Sequence, residues 1–275
     1  MTDLLDAAAI GNALAARGES IGVRVLERCA STNTQLLARE SAQAPALLVA
    51  NEQTAGRGRR GRRWHASPGD ALLFSLRWQF TGDAGRLRGL SLATGVSIAR
   101  TLRELGASGV ALKWPNDLLA SMALSKDPDS AKIGGILIET RTGGGRITAV
   151  IGVGLNCRRN PALEAQIKRR VAALEDSIDP LPSRNELAAG IVAGLAQALR
   201  LFGEAGFEAF RSDWVALHAL QGSPMRVRTS DGRIVAGIAD GVAPDGGLLL
   251  RNRRGVHCIH SGTVVRRTLA RGARA

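Results

Sequence analysis

The sequence predicts an α/β (α+β) fold built on a mixed β-sheet and followed by a small β-barrel, and three observations carry that expectation. Segments with strand alternation and segments with helical apolar spacing take turns from Val23 to about residue 214. KIGGILIET and RITAVIGVGLNC flank the turn signal TGGG, so Ile136 to Thr140 and Arg146 to Leu155 form an antiparallel hairpin. Beyond Gly222 the character changes to short strands, MRVRT, IVAGIAD, GLLLRN and VHCIH, joined by SDG, APDGG and NRRG turns. That spacing suits a barrel of about 45 residues. A boundary near residue 220 follows, giving units 1–220 and 221–270.

Residues 2 to 18 read as a short helix, and VRVLERC alternates as a strand. In STNTQLLARES, Thr32 and Gln35 have the spacing of a capping box, which starts a helix with Leu36 and Leu37 on its buried face. ALLVANE after Pro45 is a buried-type strand. LLFSLRW, Leu72 to Trp78, is another, and Leu73, Ser75 and Arg77 alternate against Phe74, Leu76 and Trp78 as though one face were wet. RGLSLATGVSIARTLREL carries Leu92, Val96, Ala99 and Leu102 at helical spacing and is a core helix. ALKWPND is a strand forced to stay extended at Trp114 by the following proline, turning at Asn116 and Asp117, and the polar ASMALSKDPDSA reads as a loop. A helix is expected around 161 to 175. Another begins at Ser183, where SRNE offers a capping box with Glu186, and runs towards Phe210 or Trp214.

A chain of 275 residues with 45% hydrophobic content can bury a full core. Its start, MTDLLDAAAIGNALAARGES, lacks the charged opening and apolar run of a secretion signal, and no stretch reaches about 18 uninterrupted apolar residues. Cys29, Cys157 and Cys258 are an odd, widely spaced set, which reads as reduced thiols; a cytoplasmic protein is expected. The formal charge is +13, but five of those charges lie in AGRGRRGRRW, residues 55 to 64, leaving +8 elsewhere. Aromatics are 3% with no tyrosine, too few to interleave stacking platforms with the basic residues.

Gly56, Gly58 and Gly61 satisfy GxGxxG literally, yet RRWHASPGD follows instead of the helix that a dinucleotide site needs. What survives is a glycine backbone that a ligand can approach and arginines with forked, permanent charges. At an effective dielectric of about 20, two guanidinium groups roughly 6 Å apart repel by about 3 kcal/mol. The loop is therefore expected to lack fixed structure until an anion fills it, with a solvated surface loop as the plain alternative. Lys132 in KIGG is either a point charge for a carboxylate or phosphate, or an ordinary surface lysine. Gly152 and Gly154 inside IGVGLN mark a bulge, a close ligand approach or simple packing. HCIH, residues 257 to 260, puts only Cys258 and His260 on one strand face, so no metal set is expected there.

Taken in order, STN (31 to 33), EQTAGRGRRGRRW (52 to 64), KWPNDLL (113 to 119), KIGGILIE (132 to 139) and IGVGLN (151 to 156) resemble the biotin protein ligases. The resemblance runs from about residue 23 to 267. It implies a catalytic sheet like that of the class II aminoacyl-tRNA synthetases with an SH3-like C-terminal barrel. It also implies the joining of biotin to ATP as biotinyl-5′-adenylate, with Mg²⁺, and transfer of biotin to a lysine of a biotin carboxyl carrier protein. Carried onto this chain, Ser31, Thr32, Asn33, Gln53, Arg57, Gly58, Arg59, Lys132 and Gly135 would hold biotin. Arg57, Arg59, Arg62, Trp64, Asn116, Lys132 and Asn156 would hold the nucleotide, with Lys132 and Arg59 catalytic. Ser31 and Thr32 also suit mere helix capping, and Asn116 a mere turn. The partners implied are biotin, ATP and the carrier, with neither nucleic acid nor membrane, in a monomer or weak homodimer.

Three departures stand out. About 30 residues precede STN, too few for a winged helix-turn-helix, so gene repression is not expected. The segment between Asp117 and Lys132 is long, and Thr263 stands where the family usually has a glutamate. The rival enzyme is a lipoate or octanoyl ligase, whose glycine signature differs from GRGRRG. A nucleic-acid binder using the same arginines is the rival outside catalysis, and it predicts affinity that falls steeply with salt.

Overall fold

The computed structural model describes residues 3–38, 44–120, 131–168 and 171–265. Strands β1 (Gly22–Cys29), β2 (Ala46–Gln53), β3 (Ala71–Thr81), β4 (Ala111–Lys113), β5 (Asp117–Leu119), β6 (Lys132–Gly143) and β7 (Arg146–Asn156) make one sheet in the order β1-β2-β3-β7-β6-β5-β4. β1 and β2 run parallel and the other neighbours antiparallel, so the sheet is mixed, as expected. The hairpin of β6 and β7 closes with Gly143 opposite Arg146, where Gly144 and Gly145 both take positive φ. The polar segment after Ala120 is expected to be a loop; its residues 121–130 lie outside the described residues.

Five of the six described helices pack by their apolar sides. α3 (Leu90–Glu104) and α5 (Arg184–Ala205) meet each other, and α1 (Ala7–Ala15) packs on α5, all contributing to one continuous apolar core. α5 is long and apolar enough to cross a membrane by composition, yet 56% of its most apolar stretch is buried within the fold, as befits a core helix. It starts with the foreseen capping box, Ser183 and Glu186 each bonding the other's backbone or hydroxyl. Gly206 then ends it at φ 66°, so the expected single helix splits into α5 and α6 (Glu208–Leu217). α2 (Thr32–Leu37) lies on the opposite face of the sheet, over Leu48 and Val150. α4 (Pro161–Ile167) is shorter than the expected 161 to 175 because Lys168 turns left-handed behind it.

Two expectations fail for reasons of tertiary structure. The expected wet face of β3 is covered from Leu73 to Arg77 and exposed only at Gln79 and Thr81: Ser75 and Arg77 are 0% and 6% exposed, because α2 packs over that stretch. The capping box of Thr32 with Gln35 is absent. Ser31 is the N-cap without a side-chain bond, and the Thr32 hydroxyl turns to Gln53 instead.

The C-terminal strands β8 (Pro224–Thr229), β9 (Ile234–Val242), β10 (Leu248–Asn252), β11 (Gly255–Ile259) and β12 (Gly262–Val264) form an antiparallel sheet in the order β11-β10-β9-β8-β12. Among the described residues β11 and β12 are its two unpaired edges, so the sheet does not close into a barrel. Its inner face, including Val227, Ala239, Leu248 and Leu250, belongs to the same core as the large sheet, and Trp114 Nε1 donates to Gly246 O at 3.2 Å.

Candidate active site

Nine of the residues that the resemblance assigns to ligand binding line one small pocket: Ser31, Thr32, Asn33, Gln53, Arg57, Trp64, Asn116, Lys132 and Gly135. The N-terminal turn of α2, the end of β2, the arginine loop and the facing backbones of β6 and β7 bring them together. The floor is a buried polar network. Gln53 Oε1 accepts from Thr32 N at 2.8 Å and from the Thr32 hydroxyl at 3.2 Å; Ser75 Oγ lies 2.7 Å from Thr32 Oγ1 and 2.6 Å from Asn33 Oδ1. Asn33 Nδ2 donates to Glu139 Oε2 at 2.9 Å and to Leu137 O at 3.2 Å. Such a network fixes each rotamer, since a buried polar atom left unpaired costs about 1–3 kcal/mol.

The glycines explain how the elements come so close. A Cβ on Gly152 would sit 2.3 Å from Asn33 Oδ1, and one on Gly154 would sit 2.5 Å from Trp64 Cε2. The indole thus lies flat against backbone, which no side chain would permit. It also approaches Gly135, leaving a cavity of only about 50 Å³. Trp64 Nε1 is buried and has no hydrogen-bond partner among the described residues.

Lys132 closes one side. Its Nζ donates to Asp117 Oδ1 at 2.5 Å and stands 5.7 Å from the Trp64 ring centre, while Lys113 Nζ lies 3.5 Å from the other Asp117 oxygen. One carboxylate between two ammonium groups leaves a net positive charge at the pocket edge. Asn116 anchors the β4–β5 turn, its Nδ2 donating to Ile136 O at 2.8 Å and its carbonyl accepting from Ile136 N. The turn role assigned to it as the alternative is therefore real, alongside its place in the pocket lining.

The arginine loop is not structureless. Arg57 and Arg63 form an antiparallel bridge, Gly58 N donates to Arg62 O at 2.7 Å, and Arg59–Gly61 is a single tight turn. The self-repulsion that argued for disorder is relieved because the guanidinium groups fan out to separate partners. Arg57 reaches Glu139 at 2.5 Å, Arg63 reaches Thr54 O, and Arg60 reaches Thr263 Oγ1 at 2.7 Å and Ser261 Oγ at 3.2 Å. Burial, and next the neighbouring Arg60 charge, hold the Arg59 pKa below its ordinary value, against an opposing pull from Asp117. Arg59 lines a second cavity, of about 440 Å³, between β6, the start of α3 and the Asp245–Gly247 turn. That cavity adjoins the small pocket through Ile136 and Leu137. Arg62 is exposed on the loop and lines neither.

Asn156 is likewise set apart from the small pocket. It is 8% exposed, donates to Ala172 O at 3.1 Å and lines a different small pocket with Asp70 and Asn160. Sequence reasoning passed over Ser75, Glu139 and Asp117, the partners that hold Thr32, Arg57 and Lys132. Asp117 and Glu139 both stand in the quoted blocks KWPNDLL and KIGGILIE, whereas Ser75 carried no signal beyond strand alternation. A further correction concerns HCIH: Asp245, from the turn before β10, comes within reach of Cys258 and His260.

Residues 25–156 match the model of the biotin/lipoate A/B protein ligase family. The bifunctional ligase/repressor BirA of Salmonella typhimurium is 36% identical over 249 residues, covering 90% of this chain and 73% of that protein. The biotin--[acetyl-CoA-carboxylase] ligase of Paracoccus denitrificans is 32% identical, covering 87% of this chain and 98% of the relative. Among solved structures, the biotin protein ligase of Aquifex aeolicus in complex with biotin and ATP superposes with a TM-score of 0.73 at 26% identity, over 90% of this chain and 99% of that one. With polar pocket, lysine and arginine loop in place on that fold, the chain belongs to the biotin/lipoate A/B protein ligase family, as a biotin protein ligase.

Proposed function

We propose that this chain is an ATP-dependent biotin ligase that forms biotinyl-5′-AMP and then passes biotin to a lysine of the biotin carboxyl carrier protein of acetyl-CoA carboxylase. In the first step a biotin carboxylate oxygen attacks the α-phosphorus of ATP and pyrophosphate leaves. In the second, the carrier lysine amine attacks the acyl carbon, AMP leaves and the amine proton passes to solvent. Both reactants of the first step are anions, so the site must hold positive charge where more negative charge develops. The observation that carries the proposal is Lys132 standing between the polar pocket and the arginine loop, with Asp117 orienting its Nζ.

Ser31, Thr32, Asn33, Gln53, Gly58 and Gly135 are assigned to the biotin side, Arg62, Trp64 and Asn116 to the adenylate side, Arg57, Arg59 and Lys132 to both, and Lys132 and Arg59 also to the reacting groups. Asn156 is assigned a supporting role through Ala172. Ligand sites usually span about 300–1,000 Å³, so biotin entry requires Trp64 and its loop to move outward. Mg²⁺ is expected to arrive on the nucleotide phosphates, because Asp117 and Glu139 are already held by cations. Residues 1–220 are taken as the catalytic unit and 221–270 as an SH3-like one. We place the enzyme in the cytoplasm as a monomer or weak homodimer.

Biotin-dependent exchange of pyrophosphate into ATP, absent with lipoate, and labelling of a purified carrier domain are the expected results. Exchange with lipoate but not with biotin would overturn the proposal.

A further inference from the structure

We infer that Asp245, Cys258 and His260 form a binding site for a divalent transition metal of the zinc class, at the rim of the cavity that Arg59 enters. A nitrogen of His260, the Cys258 sulfur and a carboxylate oxygen of Asp245 lie within 4.8 Å of one another. Cys258 Sγ and His260 Nε2 are 3.6 Å apart. Ligands at about 2.3 Å (sulfur) and 2.0–2.1 Å (nitrogen) from one tetrahedral ion stand about 3.5 Å from each other, so this pair is already at coordinating separation. His260 Nδ1 lies 3.3 Å from Asp245 Oδ2, so the carboxylate either joins the ion or holds the ring for it.

The approach is built by the backbone. A Cβ on Gly247 would fall 2.5 Å from Cys258 Sγ and 3.0 Å from the His260 ring, so only glycine lets the Asp245 turn close on β11. Thiolate, carboxylate and neutral imidazole together carry two negative charges, which balance a divalent ion. The soft sulfur and the imidazole favour zinc-like ions over Mg²⁺ or Ca²⁺. Arg88 Nη1, 3.4 Å from Asp245 Oδ2, is the competing cation. It is an exposed side chain that can swing away. On binding, the Cys258 thiol loses its proton to solvent, although partial desolvation and the Asp245 charge raise its pKa in the metal-free protein. No oxidant or co-reactant is needed.

The test uses the full chain. Titration with Co²⁺ should give a thiolate-to-metal absorption band at one equivalent, lost in Cys258→Ala. Asp245→Asn should lower Zn²⁺ affinity by roughly 10–100-fold. In the unmodified protein, Zn²⁺ should protect Cys258 from alkylation, a measurement that does not depend on any variant folding. No band with Co²⁺, a band retained in Cys258→Ala, or alkylation of Cys258 at the same rate with and without Zn²⁺ would each overturn the inference. Biotin transfer does not enter these readouts, so the site stands or falls separately from the ligase activity.

Discussion

Asn33 and Gly152 meet so closely that the carboxamide of one occupies the volume a side chain of the other would need. A Cβ at Gly152 falls 2.3 Å from Asn33 Oδ1 and 2.9 Å from its Cγ. Asn33 cannot step aside cheaply, because Ser75, Glu139 and Leu137 all hold it. Gly152→Ala should therefore cost about 2 kcal/mol of stability and raise KM for biotin more than KM for ATP. Urea denaturation and exchange kinetics check this; unchanged values of both would show that the contact is soft.

Lys132→Ala removes the ammonium that Asp117 orients. Loss of one charge-stabilising donor costs roughly 10²–10³ in kcat. Adenylate formation should fall by that factor while circular dichroism stays native. A normal rate would remove Lys132 from the mechanism.

His218 gives the fold a measurable acid sensitivity. It is 5% exposed and stacks on Trp214 with ring centres 4.5 Å apart, and burial pushes its pKa down to about 4, opposed by Gln221. Between the ordinary value near 6.5 and about 4 the unfolded chain binds this proton and the folded one does not. Stability from this residue is therefore intact above about pH 6.5 and is lost as pH falls towards 4, by up to about 3 kcal/mol. His218→Phe should flatten the slope of unfolding free energy over that window; an identical slope would show that another group supplies it.

The three thiols should separate cleanly. Cys29 and Cys157 are buried, and burial pushes the Cys157 thiol up to about 12, whereas Cys258 is exposed. In metal-free native protein a thiol reagent should modify one cysteine, mapped by mass spectrometry to Cys258, and all three after denaturation.

Sequence legibility followed the range of the interaction. The Ser183–Glu186 box was readable because both partners lie within one helical turn. The Thr32 box was misread because Gln53, 21 residues on, competes for the same hydroxyl. Alternation in β3 marked two faces but not the helix that covers the second, so buried Ser75 looked wet. HCIH looked incomplete because its third member comes from the turn at Asp245. Repulsion among the loop arginines predicts a loop without fixed structure, because three of the four acceptors that let it fold, Glu139, Ser261 and Thr263, are distant in sequence, and Thr54 is a backbone carbonyl with no side-chain signal. The glycines of IGVGLN were ambiguous until Trp64 and Asn33 were seen resting on them.

Arg60, at the tip of the arginine loop, is bonded to Ser261 and Thr263, about two hundred residues further along the chain. During synthesis, a ribosome that has released every residue of the pocket lining has still not released the strand on which that tip rests. The loop thus acquires its last support only when β12 emerges. A nascent chain could fold its large sheet and polar pocket well before the loop above them has its final footing.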